Sequence, residues 1–146
     1  MQLVARLVLP ARRPLVTVEW LMIQADEHEY EIERALESGA IEHAWNIASQ
    51  QTERRELRMW NESALAYVEQ RPARHFELAT LFPHSRAEVT STELERLFTC
   101  SSTHIHNLIA QRLLAATGER IPRGRNSAVK ITRASVEQFF EARKIS

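Results

Sequence analysis

The sequence predicts a mainly α fold with small β-hairpins, assembled as one design used twice. The first observation is an internal repeat. "VTVEWLMIQADEHEYEIERALESGAI" (16–41) lies on "VTSTELERLFTCSSTHIHNLIAQRLL" (89–114) at a spacing of about 73 residues. Val16-Thr17 falls on Val89-Thr90, Leu21 on Leu94, Ile32 on Ile105, Leu36 on Ile109 and Ile41 on Leu114. The second observation is a further match, 72 residues apart, of "RMWNESALAYVEQR" (58–71) with "KITRASVEQFFEAR" (130–143). The third is punctuation: capping signals and strand-like runs come in one order in both copies, helix, turn, helix, hairpin, helix.

In the second copy Thr90 and Glu93 form a Thr-x-x-Glu capping box that starts a short helix ending near Phe98. Ser101 or Ser102 then caps a second helix, whose apolar stripe is Ile105, Leu108 and Ile109. Two helices joined by so short a turn have helix-turn-helix geometry. Leu113–Ala116 and Val129–Ile131 read as strands, with a Gly/Arg/Pro-rich span between them, and Val136, Phe139 and Phe140 mark a third helix. In the first copy Asp26 and Glu29 are read as the capping box, and Gly39 stands where a glycine would end the helix. His43–Ile47 and Leu57–Trp60 are the expected strand pair, Asn61 the expected cap of a third helix, and Pro72 follows that helix.

The chain has 146 residues, 44% of them apolar, so a packed core is expected rather than disorder. No stretch reads as a membrane span: Leu7–Leu9 is cut short by Pro10, Arg12 and Arg13. Arg6 interrupts what would be the apolar part of a signal peptide, and a cytoplasmic protein is expected. Cys100 stands alone, which excludes an intramolecular disulfide and a cysteine-rich metal knuckle. Net charge is zero, yet residues 1–85 hold 9 Lys+Arg against 13 Asp+Glu, and residues 86–146 hold 10 against 6. The two halves differ in electrostatic character, which bears on which half meets what.

Enzymatic chemistry finds no footing. His104 and His106 are two apart, so on a helix they diverge and cannot chelate one ion; no metal or cofactor is expected. Ser101 and Ser102 lack the flanking glycines of a nucleophile elbow and read as caps. With three glycines in the chain there is no phosphate-cradling loop. The helix Ser102–Gln111 reads instead as a recognition helix, its buried stripe turning Ser102, Thr103, His106 and Asn107 outward, with Ser101 at its start. These short polar side chains suit phosphates and base edges. In "GERIPRGRN" (118–126), Arg120, Arg123 and Arg125 alternate with small or apolar residues in a hairpin suited to a DNA backbone or minor groove, and Lys130 and Arg133 extend it.

The first copy differs. Its equivalent helix carries Glu27, Glu29, Glu31, Glu33 and Glu37 against Arg34, and phosphate would repel it. Its hairpin is basic, so Arg54, Arg55 and Arg58 are candidate secondary backbone contacts. Trp20, Trp45 and Trp60 are its expected core. The expected organisation is a strand-like segment (1–14), an acidic module (15–71), an apolar packed linker (72–87) and a basic module (88–146). Phe76, Leu78, Leu81 and Phe82 in the linker are expected to pack between the modules. "QLVARLVLP" has no partner in either module and is expected to cover a sheet edge or pair with a second chain as a homodimer.

The order Thr90, Glu93, Ser101, Ile105, Leu114, Ile131 and Val136 resembles excisionase-type winged helix-turn-helix modules, related to the MerR family. The resemblance covers 88–143 well and 15–71 weakly; Arg112 stands where the family usually has glycine, and the wing is longer than usual. It implies two tandem winged helix-turn-helix modules and double-stranded DNA binding, as a recombination directionality factor or transcription regulator. The alternative is a protein-interaction adaptor that works through its acidic first module.

Overall fold

In the computed structural model, residues 13–50, 54–120 and 128–145 are described. The first half runs β1 (Leu15–Thr17), α1 (Val18–Ala25), α2 (Glu29–Ser38), β2 (Ala44–Asn46), β3 (Leu57–Trp60) and α3 (Asn61–Val68). After a 3-10 turn at Leu78–Leu81, the second half repeats the order. It runs β4 (Glu88–Thr90), α4 (Ser91–Phe98), α5 (Ser102–Ala110), β5 (Ala116–Arg120), β6 (Val129–Thr132) and α6 (Arg133–Arg143). The helical expectation holds, but each hairpin is a three-stranded antiparallel sheet, ordered β1-β3-β2 and β4-β6-β5. The added strands, β1 and β4, are three residues each, too short to show an alternation in the sequence.

Local chemistry explains the helix starts. Thr90 accepts from the Glu93 N–H at 3.1 Å while Glu93 accepts from the Thr90 N–H at 2.9 Å, closing the expected box. Ser101, rather than Ser102, caps α5, accepting from the His104 N–H at 3.2 Å. Three expectations are corrected. Asp26 ends α1 in a left-handed conformation instead of capping α2; there the Glu31 carboxylate accepts from the His28 N–H at 2.9 Å. Asn61 opens α3 without capping it and donates its side-chain amide to the Arg13 carbonyl. Leu113–Ala115 form the turn that leads into β5.

The first sheet buries both of its faces. There, Val16, Ala44, Leu57 and Met59 face one cluster with Leu21, Ile32 and Leu36, while Leu15, Trp45 and Trp60 join a second cluster with Phe98, Ile105 and Phe140. Alternation along each strand splits its side chains between these two cores. Trp45 and Trp60 are therefore core residues shared between the halves; Trp20 is half-buried on the other side. The linker reaches the shared core as expected: Leu81 and Phe82 are buried in it, and Phe76 packs on His43, Trp45 and Trp60.

The positions equivalent to Leu15, Trp45 and Trp60 in the second sheet are Glu88, Thr117 and Thr132. An apolar docking face in copy one is therefore polar at the equivalent positions of copy two.

Candidate nucleic-acid interface

The helix pair α4–α5 turns over Thr99–Ser101, and Thr99 holds a left-handed backbone (φ 52). Ile105 and Leu108 are fully buried and fix the rotation of α5. Ser101, Ser102, Thr103, His106 and Asn107 are consequently all exposed, in one polar strip. Asn107 and His106 offer side-chain hydrogen-bonding groups on this exposed face.

The basic candidates divide. Arg120 ends β5, its backbone opposite Val129. Arg123 and Arg125 lie outside the described residues. Lys130 sits half-buried on β6, in register with Thr90. Arg133 is a correction: its guanidinium donates to Glu137 and to the His84 carbonyl, each at 3.1 Å, and lies 4.3 Å over the Phe82 ring. It bolts the linker to α6 and is not presented to a ligand. In the first half Arg54 and Arg55 are exposed, Arg55 facing Glu37 at 3.7 Å. Arg58 is the second correction. It is 7% exposed, because β3 is the central strand of a sheet covered on both faces. It donates from Nε to the Phe98 carbonyl at 2.7 Å and from Nη2 to the Thr99 carbonyl at 2.9 Å.

Several contributors were not legible as such. Arg96, in the last turn of α4, and Arg112, just past α5, are exposed cations flanking the polar strip. His104, on the same helix as the strip, turns inward, its Nε2 2.6 Å from the Ile47 carbonyl. Gln111 accepts from the Gln50 N–H at 2.6 Å. Thus α5 is held at both ends by the loop that follows β2. Cys100 is half-buried against the shared core, and burial pushes its thiol up to about 12, more than Arg58 lowers it.

Among the described residues no group of three or more His, Cys, Asp or Glu is placed to hold a metal ion, and no helix is long and apolar enough to cross a membrane. Comparison with protein-family models, curated proteins and solved structures returns no match.

Proposed function

We propose that the second half binds double-stranded DNA as a winged helix-turn-helix, with α5 in the major groove and the β5–β6 hairpin as wing. The observation that carries this reading is the strip Ser102, Thr103, His106 and Asn107 on the second helix of a short-turn pair, flanked by Arg96 and Arg112. A helix presented in this way fits the major groove, whose edges are read by side chains such as Asn. The strand order β4-β6-β5 supports the reading, because it sets a hairpin beside the helix pair. The first half has the same architecture with an acidic α2 and gives no phosphate-neutralising surface on that helix.

The test is titration of duplex DNA across salt concentrations. Binding that weakens log-linearly with salt, at about one unit of slope per phosphate contact, supports the reading. Absence of duplex binding at low salt would refute it. A second reading, an adaptor that engages a basic protein surface through α1 and α2, rests on one observation. Among the described residues, the exposed large apolar side chains, Ile23 and Tyr30, both lie there, beside the carboxylates of α2.

A further inference from the structure

We infer that Arg58 is a positioning residue for the reading helix, supplied by the first half of the chain to the second. This deepens the DNA-binding reading and rests on it. Arg58 crosses the interface between halves and donates to two carbonyls in succession, Phe98 at the end of α4 and Thr99 in the turn. Those carbonyls end a helix and have no further helical partner, and a planar guanidinium satisfies both at once. Thr99, whose left-handed backbone is unfavourable for a β-branched residue, is also tied by its own hydroxyl to the Leu15 carbonyl at 3.1 Å. Five residues after Thr99, His104 fastens the first turn of α5 to the Ile47 carbonyl.

The turn that sets the angle between α4 and α5 is therefore gripped from outside its own module. Lys130, at the position equivalent to Arg58, is half-buried on β6. The acidic first half contributes to reading by holding the reader in place. A helix displaced by about an ångström loses base contacts while phosphate contacts adapt, so the expected loss falls on discrimination.

The experiment compares wild type, Arg58→Lys and His104→Ala, at temperatures where melting curves show each fully folded. A duplex selected by the wild type and a scrambled duplex are titrated across salt, and the rate of Cys100 modification by a thiol reagent is measured without DNA. Lys keeps the charge beside Cys100 but lacks the planar fork whose Nε and Nη2 reach the two carbonyls separately. The selected-over-scrambled affinity ratio should fall roughly tenfold in Arg58→Lys, and less in His104→Ala, at an unchanged salt slope. Cys100 should react roughly tenfold faster in Arg58→Lys as the turn opens locally. A slope smaller by about one unit would make Arg58 a phosphate contact and overturn the inference. An unchanged ratio in the folded variant would reduce it to a structural bond and also overturn it. If the wild type binds no duplex, the DNA reading fails alone, and the Cys100 rate still decides whether Arg58 holds the turn.

Discussion

Gly39 and Arg112 occupy the same place in the two halves, each just past the second helix of its pair, and both backbones are left-handed, with φ 85 and φ 61. Glycine adopts this conformation freely, whereas an L side chain is strained in it by about 1–2 kcal/mol. Part of that strain is offset, because glycine is also freer in the unfolded chain. Arg112→Gly should therefore stabilise the protein by about 0.5–1 kcal/mol, raising Tm by roughly 2–4 °C. Gly39→Ala should lower it, even though an added Cβ there would meet nothing within 4 Å, because the cost lies in the backbone alone. Thermal melts of both variants check the pair. A lowered Tm for Arg112→Gly would mean that the Arg112 side chain contributes more than its strain.

Arg133 is predicted to matter for folding and not for DNA. Arg133→Met removes charged hydrogen bonds to Glu137 and the His84 carbonyl and the contact over Phe82. The expected loss is about 1–3 kcal/mol in denaturant unfolding. The salt slope of duplex binding should not change; a smaller slope would return Arg133 to the phosphate contacts.

The Thr90–Glu93 cap gives the stability a pH dependence with a definite sign. Burial pushes the Glu93 carboxyl up, but the Thr90 N–H and the His84 ring together hold it below its ordinary 4.5. A carboxylate with a lowered folded value stabilises the protein above its unfolded value and loses that contribution as pH falls through the folded one. Wild type should melt above Glu93→Gln at neutral pH, by the amount of a lost cap interaction, about 1 kcal/mol. The gap should narrow as the pH drops below 4.5. A gap independent of pH would place the effect of Glu93 in packing.

Cys100 should react slowly in the native protein at neutral pH, because burial pushes its thiol up to about 12 and little thiolate forms. Labelling as fast as in the unfolded chain would show that the α4–α5 turn is open in solution.

The repeat was the most legible feature because it lies in core spacing: Leu21 with Leu94, Ile32 with Ile105 and Ile41 with Leu114 are all buried. The Thr90 box and the Gly39 stop were legible because caps are local chemistry. Arg58 was not. Its neighbours Arg54 and Arg55 made the stretch read as an exposed basic hairpin, and burial of a strand on both faces is set by what docks on it. Arg133 misled in the same way, since its partners His84 and Phe82 are about 50 residues away. The docking itself left a trace in the letters: Leu15, Trp45 and Trp60 against Glu88, Thr117 and Thr132. The exposed strip on α5 followed from its buried stripe alone. Arg123 and Arg125 fall outside the described residues, so the tip of the wing stands on the sequence.

The central claim is that the polar strip of α5 reads bases and the acidic α2 does not. Its most direct measurement is competition binding on a randomised duplex library with wild type, His106→Ala, Asn107→Ala and Glu33→Ala, Glu33 being the residue equivalent to His106. His106→Ala or Asn107→Ala should relax preference at one base-pair position, by about 1–3 kcal/mol. Glu33→Ala should leave sequence preference unchanged and affinity equal or slightly higher, because a carboxylate that phosphate repels is gone. Altered preference from Glu33→Ala, with none from His106→Ala or Asn107→Ala, would contradict the account and move the reading head to the first half.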